Sequence, residues 1–184
     1  MSTYRLFRPD SPHIAFLLPD PPAESSRAVS QGFAAYRKRD HWGAFSAWKA
    51  AADTNDIEAC FLTGTMYALG QGIPQDFDQA LRYLHRATSH GHGPAAFNAG
   101  LLSQHSPARP FSQDIQPTTA IAYFRLAAEA MDDPRIHERA QRICQAIART
   151  LPEAYEDQVR RVMNTIMRPV RRDGSTPQQK VDLL

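Results

Sequence analysis

The sequence predicts an all-α chain, a solenoid of stacked helix pairs, and three observations carry that prediction. A block of residues recurs at a fixed offset, small residues hold matching positions inside the predicted helices, and Gly and Pro punctuate the intervals between them. Ala59, Phe61 and Gly64 reappear 36 residues later as Ala95, Phe97 and Gly100. Ala80, Tyr83 and Ala87 reappear as Ala120, Tyr123 and Ala127 after a loop four residues longer, and Ala44–Ala51 falls 36 residues before Ala80–Ala87. A unit of this size cannot bury its apolar face alone, so it gains stability by stacking on its neighbours.

The elements follow in order. The first pair is expected over 24–39 and 42–52, joined by the short connection Lys38–His41. The second begins with a helix over Ile57–Leu69, with Asp56 as its N-cap because a carboxylate can accept a free first-turn N–H. Gly70, Gly72 and Pro74 stop that helix, since Gly tolerates the left-handed backbone and Pro cannot continue a helix. The next helix starts near Asp76, carries Phe77, Ala80, Leu81, Leu84, Ala87 and Thr88 as one stripe, and ends with Gly91 at C′. The third pair is expected over 94–105 and 118–130, with a long loop over 106–117 that holds Pro107, Pro110 and Pro117. Two further helices, 134–150 and 152–167, precede Pro169, which blocks extension. Glycine inside a helix costs about 1 kcal/mol relative to Ala. Gly64 and Gly100, with Gly32 in the same role, therefore predict a neighbouring helix so close that a side chain would not fit.

The organisation read from these elements is a Pro-rich N-terminal extension over 1–27, a repeat solenoid over 28–131, C-terminal capping helices over 132–168 and a flexible tail over 169–184. No apolar run exceeds five residues, as in Ile14–Leu18. A membrane helix needs about 20, so no membrane span is expected. The N-terminus lacks the pattern of a secretory signal, and a cytoplasmic location is the expectation. Leu6, Phe7 and Ile14–Leu18 are too apolar for a free arm and are expected to pack on the first repeat or along a groove. The formal net charge of +2 divides into −2 over 1–134 and +4 over 135–184. That excess is too small and too localised for nucleic-acid binding. The last helix sets Val159, Val162, Met163, Ile166 and Met167 beside Arg160, Arg161 and Arg168, so it is expected to cap the solenoid, with weak contact to an anionic surface as the alternative. Cys60 and Cys144 lie in no metal-binding spacing and are expected as buried free thiols.

The chemical motifs read more simply as structure. Ser46 and Lys49 have the S-x-x-K spacing of penicillin-recognising serine enzymes, but the companion motifs are missing. His85, His90 and His92 cluster in sequence without the three- or four-residue spacing that puts two imidazoles on one helix face. Gly70-Gln-Gly72 lacks the Lys and Ser of a phosphate loop, and Asp76, Asp78, Asp132 and Asp133 sit at helix starts, where the helix dipole accounts for them. No catalytic residue, metal or cofactor is expected.

The stretch from Ala59 to Gly64, then Met66 and Tyr67, Gly70 to Phe77, Ala80 and Leu81, and Ala87 to Gly91 resembles one complete Sel-1-like repeat, a relative of the tetratricopeptide repeat. Residues 94–130 resemble a degenerate copy without the Gly-x-Gly loop, and Gly32–Trp48 is closer to a tetratricopeptide pair. The resemblance implies a right-handed α-α superhelix with a concave face and a non-catalytic adaptor that binds another protein, most often in bacteria. Within such families, immunity or accessory proteins that neutralise a secreted toxin are a second possibility, and a serine hydrolase of the β-lactamase kind is a remote third. In these repeats the first helix of each pair lines the concave side. By register that face carries Ser30, Phe33 and Arg37, then Leu62, Thr65 and Leu69, then Asn98, Leu101 and His105. Such a mixed apolar and polar groove suits an extended segment or helix of a partner, or the chain's own N-terminal arm.

Overall fold

Polar side chains start the helices and fix their boundaries. A computed structural model describes residues 4–7, 16–19, 25–105, 117–131 and 133–168. Helix α1 spans Arg27–Arg37 and opens at Ser26, whose Oγ accepts the Val29 N–H at 3.3 Å. Helix α2, His41–Asp53, opens at Asp40, which accepts from Gly43 at 2.8 Å. Helices α3, Ile57–Leu69, and α4, Phe77–Thr88, open at Asp56 and Asp76, which accept from Ala59 and Gln79, each at 2.9 Å. Such a cap contributes about 1 kcal/mol. Helix α5 covers Gly93–His105 and α6 covers Pro117–Ala130. Helix α7, Pro134–Ala148, is capped by Asp133, and α8, Tyr155–Ile166, has no side-chain cap.

The first helix spans 27–37 rather than 24–39, since Ser26 caps its start and Lys38 its end. The other expected boundaries are met closely, and two further differences stand out. The last helix begins at Tyr155 rather than at Pro152, because residues 152–154 form a turn closed by the Tyr155 N–H on the Pro152 carbonyl. Gly91 lies one residue beyond C′, since His90 and Gly91 first turn back onto the carbonyls of Ala87 and Thr88. Gly70 holds the C-cap of α3 with φ +65°, as the Gly-x-Gly turn requires.

The pairs α1–α2, α3–α4 and α5–α6 pack internally, and α2 on α3, α4 on α5 and α6 on α7 join them into a helical solenoid. The glycines set the distance within each pair. A Cβ on Gly32 would meet the Trp48 indole at 2.2 Å, one on Gly64 would meet Leu84 at 2.8 Å and the Ala80 carbonyl at 3.0 Å, and one on Gly100 would meet the Phe124 ring at 3.0 Å. Trp48, Leu84 and Phe124 occupy one repeat position, so the same closest approach is built three times with different fillings. All three are fully buried in a core that runs the length of the stack.

A second repeated contact ties each unit to the one before it. Tyr83 of α4 reaches back to Asp53 at 3.1 Å, and Tyr123 of α6, at the equivalent position, reaches back to His85 Nδ1 at 3.0 Å. At the C-terminal end α6 is covered by both α7 and α8, with Ile136, Ala140, Val159 and Ile166 buried and Met167 42% exposed. The apolar stripe of α8 therefore faces the core as far as Ile166.

The N-terminal extension contributes two described strands. Strands β1, Tyr4–Phe7, and β2, Phe16–Pro19, pair antiparallel with Leu6 opposite Leu17. Strand β2 lies against α5 and α3, not against the first repeat. The sequence places the arm on the first repeat or along a groove; its second strand is seen in contact with the first helices of the second and third pairs. The loop expected over 106–116 and the tail expected over 169–184 lie outside the described residues.

Candidate protein-binding face

The first helices of the pairs, α1, α3 and α5, carry the nine positions expected on the concave face, and the structure divides these positions into two groups. At α1, Ser30 and Arg37 are exposed, with the Ser30 hydroxyl 2.7 Å from that of Ser25. Phe33 lies between them in sequence but is 5% exposed, because it packs edge-on against Trp48 with ring centroids 5.2 Å apart. At α3 and α5, Leu62, Thr65, Asn98 and Leu101 are all at most 2% exposed. Leu69 is half-buried, and the His105 side chain lies outside the described residues. These four positions are packed rather than open, and strand β2 touches the two helices that carry them.

Beneath β2, the two helices are joined by a polar contact. The Asn98 side-chain amide donates to Thr65 Oγ1 at 3.1 Å, and Thr65 in turn donates to the Phe61 carbonyl at 2.9 Å. At the same boundary His92 begins α5: its Nδ1 accepts the Ala95 N–H at 3.1 Å, which leaves Nε2 to donate to Glu58 at 3.0 Å. His92 thus takes the N-cap position that Asp56 takes for α3, one repeat earlier. Sequence reasoning missed this role, since His is not a preferred cap, but the 36-residue register from Asp56 points to it.

The open end has a different chemistry. Arg37, Lys38 and Arg39 are exposed in succession, and Trp42, just after them, is 63% exposed and the largest solvent-facing apolar side chain among the described residues. Gly72 of the following turn sits against His41 and Trp42, where an added Cβ would lie 2.7 Å from His41 Cβ. The rim of the first and second units is therefore continuous at this point, and Trp and Arg are the residue types enriched in interface hot spots.

The residues singled out for catalysis or metal binding have other partners. Lys49 Nζ is 2.7 Å from Asp53, and that hydrogen bond pushes its pKa up, which is opposite to what a general base needs; Ser46 is exposed on the same helix. The three clustered imidazoles diverge: His85 meets Tyr123, His90 Nδ1 meets the Arg86 carbonyl at 2.9 Å, and His92 meets Glu58. Cys60 and Cys144 are free thiols, and burial pushes both up to about 11, so neither is a thiolate nucleophile at neutral pH. A groove of about 400 Å³ between α6 and α7 is lined by Arg125, Glu129, His137, Gln141 and Cys144. Three of these side chains are engaged, Arg125 with both oxygens of Glu156 at 2.7 Å, His137 Nδ1 with the Ala128 carbonyl at 3.0 Å and Gln141 with His137 Nε2 at 2.8 Å.

With this geometry in hand, the Sel1 repeat family matches residues 57–92 and 94–130. Two consecutive segments of the chain are thus similar to the Sel1 repeat. Their boundaries coincide with the α3–α4 and α5–α6 units, so the family pattern and the glycine contacts describe the same objects. Over 80 residues, 44% of this chain, the sequence is 32% identical to the ERAD-associated E3 ubiquitin-protein ligase components HRD3A and HRD3B of Arabidopsis thaliana. That segment amounts to only 12% of HRD3A and 13% of HRD3B. Among solved structures, c5321, a protective antigen of uropathogenic Escherichia coli strains with an SLR fold, is similar over 79% of this chain and 30% of its own, with a TM-score of 0.64 at 16% identity. The Sel1 repeat is generally a protein-interaction unit. No described helix is long and apolar enough to cross a membrane.

Proposed function

We propose that this Sel1-repeat chain is a non-catalytic adaptor that binds an extended segment of another protein along the line formed by α1, α3 and α5. The contacting positions are Ser30 and Arg37 at the open end, with Leu69, Leu62, Thr65, Asn98, Leu101 and His105 further along and Phe33 as the buried support of α1. The observation that carries this reading is strand β2 seated on α3 and α5, because a surface that takes an extended backbone in cis has the shape to take one in trans. Exposed Arg37, Lys38 and Arg39 favour a partner segment that is acidic where it crosses α1.

The test uses exposed positions, since charges placed at Leu62 or Leu101 would disrupt the core as well as the face. Affinity capture from the source cells is compared between the natural chain and an Arg37→Glu, Ser30→Arg double variant with an unchanged circular dichroism spectrum. Loss of a captured protein from the variant is expected. Recovery of the same proteins in the same amounts would overturn the concave-face assignment.

A further inference from the structure

Helices α3 and α5 are nearly free of charge. Among the 13 residues of α3, Glu58 is the single charged one, and α5, also 13 residues, has none among Asp, Glu, Lys and Arg. A helix without a polar face is one that is covered all round. Helices α2 and α4 pack on α3, and α4 and α6 pack on α5. The described strand in contact with both is β2, with the sequence Phe16-Leu-Leu-Pro19, which is also uncharged. A charge buried on this surface would lose its water, which disfavours a charged occupant. Groove and strand therefore match in the property that matters most for burial.

The hairpin is also separable in a way the helices are not. The solenoid closes through contacts among its own helices, whereas the described strands meet it chiefly through β2 and precede it in the chain. A two-stranded hairpin is marginal in water by itself, so it owes its form to the helices beneath it, while the helices have each other. Pro19 ends the strand because it has no N–H to continue the ladder.

We infer that the N-terminal hairpin, residues 4–19, is a cis-acting occupant of the groove, and that the partner segment which displaces it is an extended, uncharged, apolar stretch like Phe16–Pro19. This rests on the concave-face reading above and says what that face selects at its covered end. Being tethered, the hairpin acts at an effective concentration near the millimolar range. A competing segment therefore binds the intact chain more weakly than a chain whose hairpin has been cut free.

The experiment places a protease site in the 20–24 stretch of the full chain and compares cut with intact protein. The probe is a fluorescein-labelled synthetic peptide of residues 1–22, followed by anisotropy. The cut chain is expected to exchange its hairpin for the probe, with an apparent affinity at least tenfold above that of the intact chain. A Leu17→Asp probe should not bind, and because the change is in the peptide it leaves the fold untouched. Equal binding to cut and intact chains, or equal binding of the Leu17→Asp probe, overturns the proposal. So does a cut chain that loses its helical circular dichroism, since the hairpin would then be part of the core and not its occupant. No partner is needed for this measurement. Exchange of the probe without any loss of captured protein in the Arg37→Glu, Ser30→Arg variant would defeat the adaptor reading and leave the occupancy standing.

Discussion

The two ends of the concave line differ in what lies over them. On α1, Arg27, Ser30, Gln31 and Arg37 meet solvent, while on α3 and α5 Leu62, Thr65, Asn98 and Leu101 are buried and β2 touches both helices. The difference is written into composition. Helix α1 keeps a charged side, whereas α3 and α5 have given theirs up, so the polarity of a repeat helix reports whether another element covers it. The open end is suited to steering a charged partner, and the covered end to discriminating an apolar one once the cover is gone.

The largest effect that can break this comparison comes from the covered end. Leu101→Ala should cost about 2–5 kcal/mol in chemical denaturation, the range for a buried leucine. A cost below about 1 kcal/mol would mean that Leu101 meets solvent and that the cover is absent. Gly64→Ala comes next. In an open helix this change would stabilise by about 1 kcal/mol, but against Leu84 and the Ala80 carbonyl it should destabilise by about 1–3 kcal/mol. Here the sign of the change in melting temperature decides.

A smaller effect lies in pH. Burial lowers the pKa of His85, whose Nδ1 meets Tyr123. The unfolded chain therefore takes up this proton more readily than the folded one, so the stability is present above the ordinary histidine range and declines as pH falls through it. The drop in melting temperature between pH 7.5 and about 5.5, across the ordinary histidine pKa near 6.5, should be smaller in His85→Gln; an unchanged pH dependence would remove His85 from the account. The smallest effect belongs to the open end. Arg37→Glu should shift stability by no more than about 0.5 kcal/mol, as expected for an exposed side chain without a tertiary contact. A larger loss in a thermal melt would show that α1 is less open than its exposure indicates.

Most of the solenoid was legible in the sequence because its determinants are local. Asp56 and Asp76 cap within three residues, Gly70 ends α3 through its own backbone angles, and Gly64 and Gly100 announce close helix crossings by the absence of a side chain. The register of the concave line was legible for the same reason, since helical spacing alone places Leu62, Thr65 and Leu69 on one stripe. Its occupancy was not. Two four-residue strands separated by eight residues carry no local signal for pairing, and nothing in Phe16–Pro19 names α3 and α5 as the surface it lies on. Phe33 was placed on the open face by register but is held inward by Trp48, a contact 15 residues away in sequence that spacing within α1 cannot reveal.

The backward reach of Tyr83 and Tyr123 gives the stack a direction. In each case the later unit supplies the phenol and the earlier one the receiving group, Asp53 or His85. A chain emerging from the ribosome N-terminus first presents each receiving group before the tyrosine that needs it. For these two contacts, assembly can then proceed as growth on an existing surface, one unit at a time.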